Sequence, residues 1–126
     1  MVTSGAKITY AGLDITTFVN LKYEFVDLLS HRKSPLTDDL SGLTSIWGFE
    51  RGSKLEPVLF DAVTVAMILW PDLFTTRKAF VKVTDEGYTV IDESKEPNCE
   101  IGMTIKTEEF IKRFMDRVMK QNLVRK

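Results

Sequence analysis

Little in this sequence is equipped for disulfide or transition-metal chemistry. It holds one cysteine, Cys99, and one histidine, His31, in 126 residues. A lone cysteine closes no internal disulfide, and the pair falls short of a Cys/His zinc site. Charge of one sign is also missing: 17 Lys and Arg face 18 Asp and Glu, for a formal net charge of -1. A surface that tracks phosphates normally shows as a basic excess, so the balance argues against a nucleic-acid partner. Long apolar runs are absent too. The longest, Ala62 to Trp70, is broken by Thr64 and is far short of the roughly 20 residues a membrane span needs. The first residues lack a charged stretch followed by an apolar one, so no secretory signal is expected and a reduced, cytoplasmic setting is the default.

What is present is an ordinary globular composition, 44% hydrophobic and 28% charged. The length predicts one domain, residues 1–126, with no repeat or linker. Ile8 to Leu13 reads as a strand running into a turn at Gly12, apolar without alternation, as in a strand covered on both faces. Such a strand needs neighbours for its hydrogen bonds, and the sequence places no parallel partner nearby. Asn20 is positioned to cap a helix over Leu21 to Arg32, with Leu21, Phe25, Leu28 and Leu29 on its apolar face. Ser34-Pro35 signals a second helix start. Leu36, Leu40, Leu43 and Trp47 continue that helix, Gly42 weakens it, and Gly48 is the expected stop.

Phe49 to Pro57 reads as a loop. Leu59 to Trp70 is apolar nearly all round, predicting an interior helix ended by Pro71. Lys78 to Thr84 and Tyr88 to Asp92 predict a hairpin through Asp85-Glu86-Gly87, and Glu100 to Ile105 a further strand. A last helix begins at Thr107, with Glu108 and Glu109 in its first turn and Phe110, Ile111, Phe114, Met115 and Val118 as its stripe. The fold class is α/β, with helices on a mixed sheet.

Several stretches, in order, resemble one family. Ser4-Gly5 with Ile8 and Gly12-Leu13-Asp14-Ile15-Thr16 are similar to the "SG…I…GLDVT" segment of the inosine-uridine-preferring nucleoside hydrolases, calcium-dependent ribonucleoside N-glycosidases. Pro57-Val58-Leu59-Phe60-Asp61, followed by Ala62-Val63 and Val65-Ala66, resembles the family's "PLHD" helix start. Pro71-Asp72-Leu73-Phe74-Thr75, Val81 and Val83 with Gly87, Thr89 to Asp92, and Pro97-Asn98 follow in the family's order. The resemblance implies the C-terminal part of a nucleoside hydrolase-like open α/β fold. The family's N-terminal part carries an Asp-rich calcium motif, D-x-D-x-x-x-D-D, that this sequence lacks. Asp38-Asp39 and Glu108-Glu109 are expected to be helix-start charges instead.

Family members cleave the N-glycosidic bond through an oxocarbenium-like transition state. Calcium held by carboxylates positions the ribose hydroxyls and a water. An N-terminal aspartate acts as base, and in many members a histidine protonates the departing nucleobase. By the resemblance Asp61 stands at the last calcium ligand, an incomplete site, with capping of its own helix as the alternative. Phe60 stands at the acid histidine and has no proton to give, so no catalytic residue is assigned. Trp47 and Phe49 border the preceding loop, where the family places aromatics over the base; core packing is the alternative. His31 is expected to be an exposed helix-end residue, and Cys99 unreactive.

Three readings follow. The chain is a hydrolase piece, inactive alone, which needs a companion bearing the calcium motif before it acts on a ribonucleoside. It is a non-catalytic binding or assembly domain, a pseudoenzyme whose open sheet face is covered in a homo-oligomer. Or it is a truncated reading frame. Calcium is expected only with a completing portion, and neither nucleic acid nor membrane is an expected partner.

Overall fold

The computed structural model describes residues 4–51 and 55–121. In chain order the elements are β1 (Thr9–Tyr10), α1 (Leu13–Thr16), α2 (Tyr23–Arg32), α3 (Pro35–Arg51), α4 (Phe60–Leu69), a 3-10 turn (Pro71–Leu73), β2 (Phe74–Ala79), β3 (Val81–Val83), β4 (Thr89–Ile91), β5 (Cys99–Ile105) and α5 (Thr107–Met119). The class is α/β, as expected. The described residues form two compact units, 4–16 with 61–106 and 17–60 with 107–121.

The first unit is built on a three-stranded mixed sheet in the order β1-β5-β2. β5 runs parallel to β1, pairing Thr9 with Glu100 and Tyr10 with Ile101. It runs antiparallel to β2, from Phe74 opposite Ile105 to Ala79 opposite Cys99, with a bulge at Thr75/Thr76. The parallel partner of β1 therefore comes from some ninety residues downstream, which local sequence reading does not reveal. The strand itself is shorter than expected. Leu13 opens α1 rather than closing β1, because the Gly12 carbonyl gathers Ile15 N at 3.2 Å, Thr16 N at 3.1 Å and the Thr16 hydroxyl at 3.1 Å. A Cβ at Gly12 would meet the Asp14 carboxylate. The Gly-Leu-Asp-Ile-Thr segment is thus a one-turn helix closed on glycine.

Successive residues of β5 face opposite sides of the sheet. Ile101 packs with Ala79, Val81 and Cys99, against which Ile8 and Tyr10 lie. Gly102 faces the other way, toward Ile15 of α1 and Met67 of α4. β3 and β4 form the expected antiparallel hairpin, Val81 opposite Ile91 and Val83 opposite Thr89, turning at Gly87 with φ +89°. The single strand expected over Lys78 to Thr84 is in fact the end of β2 and all of β3, separated at Phe80. Asn98 holds that break: its side chain accepts from Val81 N and donates to Val81 O, both at 2.9 Å, while its own N–H donates to Ala79 O at 3.1 Å.

In the second unit α2, α3 and α5 pack on one another. Their buried residues include Val26 and Leu29 of α2 and Phe110, Ile111, Met115 and Val118 of α5, so the α5 stripe is as expected. The α2 face is not. Leu28 is exposed, Phe25 only half-buried, and Leu21 is buried ahead of the helix. Asn20 does not cap α2; Lys22 precedes the helix without a side-chain cap, and Asn20 bridges Val58 instead. The second start is confirmed. Ser34 N donates to Thr37 Oγ1 at 3.0 Å and Thr37 N to Ser34 Oγ at 3.3 Å, a reciprocal cap with both residues fully buried.

Arg32 at the end of α2 donates to Met119 O at 2.8 Å and Gln121 O at 3.1 Å, satisfying carbonyls at and just past the end of α5. Gly48 does not stop α3, which continues to Arg51. Leu55 lies where a side chain at Gly48 would project, so glycine serves there for close approach rather than for a turn.

Two outcomes are predicted. A Cβ at Gly102 would lie 2.7 Å from Ile15 Cδ1, 3.1 Å from Met67 Cε and 3.4 Å from the Tyr10 carbonyl. Gly102→Ala should therefore destabilise the first unit by about 1–3 kcal/mol, read as a lowered midpoint in urea. The second concerns acid. Hydrogen bonds from Ser94, with a smaller contribution from Lys82, lower the Asp92 pKa, and Arg77 lowers that of Glu93 through a 2.8 Å bond. Groups depressed on folding support the fold above their unfolded pKa and lose that support as pH falls through the folded one. Amide exchange in β3 and β4 should accordingly quicken below about pH 4 beyond its intrinsic pH dependence.

Candidate functional site

Three residues ahead of α4 are pinned before the helix begins. Pro57 O accepts from Leu21 N at 2.9 Å, Leu59 N donates to Val19 O at 2.9 Å, and Asn20 and Val58 form an antiparallel bridge between them. The chain enters α4 at Phe60 directly after this short ladder. Asp61 stands exposed in the first turn, where the helix dipole favours a carboxylate and leaves its oxygens open to a ligand. Phe60 is 41% exposed, so the position before Asp61 carries a ring with no ionisable proton that is partly open to solvent.

α4 departs from the interior helix that its composition suggests. Val63 and Ala66 are buried, yet Val65, Ile68 and Leu69 are exposed. The physical reason is its place in this chain: one side of the helix meets the sheet and the other meets solvent.

Trp47 falls within α3 as expected, and so does Phe49, which was expected to open the following loop. Residues two apart on a helix point to nearly opposite sides, so the pair does not make one aromatic wall. Trp47 is half-buried and Phe49 is 89% exposed, which leaves Phe49 as the member with a free face. The loop expected between Phe49 and Pro57 lies partly in α3 and partly at 52–54, outside the described residues.

The remaining polar candidates take structural places. His31 is exposed near the end of α2, its Nδ1 2.8 Å from Asp27 O and 3.5 Å from Asp27 Oδ2. Glu109 accepts from Arg113 Nε at 3.1 Å, and Asp38 lies in the first turn of α3. Cys99 is buried with Sγ 3.4 Å from Ala79 O, and burial pushes its thiol pKa up, which suppresses the thiolate. Among the described residues, no group of three or more His, Cys, Asp or Glu is placed to hold a metal ion. No described helix is long and apolar enough to cross a membrane.

One feature went unread in the sequence. A cavity of about 360 Å³ opens in the first unit beside Tyr10, Leu13, Asp14, Tyr88 and Ile101. It gathers residues from β1, α1, the hairpin and β5, and no local pattern links these.

The model of the inosine-uridine preferring nucleoside hydrolase family matches residues 1–112. Uridine nucleosidase 1 of Arabidopsis thaliana is 34% identical over 93 residues, covering 70% of this chain and 27% of its own. The pyrimidine-specific ribonucleoside hydrolase RihA of Escherichia coli is 26% identical over 133 aligned positions, covering 91% of this chain and 41% of its own. A purine-preferring ribonucleoside hydrolase from Gardnerella vaginalis superposes with a TM-score of 0.80 at 22% identity, over 94% of this chain and 41% of its own. A plant nucleoside hydrolase gives 0.78 at 21% identity, over 95% and 43%. The chain thus spans about two fifths of the length of most of these relatives and corresponds to their C-terminal portion.

The geometry of α4 yields a prediction for the chain by itself. One carboxylate falls well short of the roughly 6–8 oxygens that Ca²⁺ takes. Calcium titration of the purified chain should give no heat of binding below millimolar concentration, and a micromolar site would contradict this reading.

Proposed function

This chain belongs to the inosine-uridine preferring nucleoside hydrolase family, and we propose that it is the C-terminal part of a ribonucleoside N-glycosidase. In this reading it is inactive by itself and contributes to hydrolysis of a ribonucleoside, to free base and ribose, once a portion carrying the calcium-binding carboxylates completes the site. The observation that carries the proposal is the family match across residues 1–112, with the Pro-Val-Leu-Phe-Asp segment held at the entrance to α4.

The described residues do not form a calcium site among themselves, so no reaction step is assigned to a metal here. Asp61 is the carboxylate that the resemblance assigns to calcium, exposed in the first turn of α4. In the proposed assembly it supplies a single ligand, and the remaining oxygens come from outside residues 1–126. Phe60 packs an apolar ring against the departing base and leaves protonation to another group or to solvent. By the resemblance Phe49, exposed on α3, is the residue proposed to cover the nucleobase face, since an exposed aromatic can stack on a planar ring. The proposed setting is the reducing cytoplasm, consistent with a buried, unpaired cysteine.

The test is co-production of the chain with a polypeptide bearing the Asp-rich motif, followed by assays on uridine and inosine with and without Ca²⁺. Calcium-dependent release of base is expected from the pair. Asp61→Asn should weaken the calcium requirement's half-saturation by more than about tenfold, as loss of a directly bound carboxylate exceeds the effect of outer groups. Phe60→His should raise inosine hydrolysis by at least about tenfold, since a positioned acid typically contributes more than that. A pair that assembles and stays inactive would favour the non-catalytic assembly domain, the reading that Phe60 itself supports.

A further inference from the structure

The entrance to α4 is chemically one-sided. The ladder residues ahead of it, Val19, Asn20, Leu21, Pro57, Val58 and Leu59, carry no acidic proton. The ionisable side chains that flank the ladder are engaged with each other. Glu56 accepts from Tyr23 N at 3.4 Å and lies 3.8 Å from Lys22 Nζ. His31, the one histidine, is about 12 Å further along α2 than Tyr23, with Nδ1 2.8 Å from Asp27 O. Phe60 presents a partly exposed ring, and the next residue, Asp61, an exposed carboxylate. An aromatic face and a carboxylate are thus present, without an acid beside them.

Breaking an N-glycosidic bond leaves its electron pair on the base nitrogen. A neutral base then departs as an anion unless an acid protonates it, and a positioned acid is worth about 10²–10⁴-fold in rate. A base made cationic beforehand, by alkylation of a ring nitrogen, needs no such proton. The electron pair cancels its charge, and it leaves as a neutral molecule. The oxygen of water bonds to C1′ and the proton it sheds passes to solvent. Cationic nucleoside and water thereby give ribose, neutral base and H⁺. An aromatic face attracts such a cation, and the carboxylate next in sequence adds to that attraction. Neither group favours a departing anion.

Resting on the ribonucleoside reading above, we infer that the site to which Phe60 contributes selects nucleosides whose base is already cationic over their neutral counterparts. Phe60 sets the preference in two ways. Its ring attracts the charged base, and it gives no proton to a neutral one. The two effects separate in the kinetics. A missing acid depresses kcat for neutral bases, whereas attraction present before cleavage lowers KM for charged ones.

The test compares guanosine with 7-methylguanosine, below the pH at which N1 of the methylated base ionises. The two substrates differ by one methyl group and its charge. The enzyme is the chain assembled with the polypeptide bearing the Asp-rich motif, and uncatalysed hydrolysis is subtracted from each rate. The kcat for 7-methylguanosine should exceed that for guanosine by at least about a hundredfold. Phe60→His should shrink that ratio at least about tenfold by accelerating guanosine alone. Phe60→Leu removes the ring without adding an acid. It should raise KM for 7-methylguanosine about two- to fivefold and leave the kcat ratio in place. Should the histidine variant fail to assemble, the unsubstituted ratio and the leucine variant decide. A kcat ratio within about tenfold of unity, or one that Phe60→His leaves unchanged, would overturn the selectivity while the hydrolase reading stands. An assembly inactive on both substrates would end that reading, and the selectivity with it.

Discussion

The close approach of β5 to its neighbours at Gly102 is the constraint on which the sheet-bearing unit depends. Ile15, Met67 and the Tyr10 carbonyl converge on the space a side chain would fill there. Because they do, the one-turn helix after β1 and the long apolar α4 cover the same face of one strand, while Ile101 on the opposite face collects Ala79, Val81 and Cys99. The Gly-Leu-Asp-Ile-Thr segment is part of the same arrangement: its glycine carbonyl closes the turn that delivers Ile15. A motif that marks the family is therefore held by packing and backbone geometry before any ligand is considered.

The start of α4 carries the chemistry that this chain can offer. The three-residue ladder between Val19-Asn20-Leu21 and Pro57-Val58-Leu59 holds the backbone directly before Phe60. From there the first turn presents Asp61 to solvent. A carboxylate at that point is stabilised by the helix whether or not a cation is bound, so it persists without a complete site.

Much of the fold was legible where local chemistry decides it. Ser34 with Pro35, the acidic first turn after Thr107 and the proline after Trp70 each set a helix boundary through orphan backbone groups, and the structure follows them closely. Gly87 made the hairpin readable for the same reason. The errors arose where distant contacts decide. Asn20 has the chemistry of a cap, but it is drawn into a bridge with Val58 some forty residues away. Gly48 looks like a stop, yet Leu55 fills the space above it and α3 runs on. Phe74 to Arg77 is too polar to announce a strand, and only pairing with β5 makes it one. The parallel partner of β1 was invisible for the same reason.

The candidate site was legible only through family resemblance. Neither composition nor spacing distinguishes Asp61 from an ordinary first-turn carboxylate, and the cavity beside Tyr10 and Tyr88 assembles from four separate segments. The central proposal is that this chain is inactive alone, contributing Asp61 to a calcium site that is not complete among its described residues. It is tested most directly by assaying the purified chain alone on uridine and inosine with saturating Ca²⁺. The account predicts base release at the uncatalysed rate, unchanged by Asp61→Asn. Turnover above that rate, abolished by the same substitution, would contradict it.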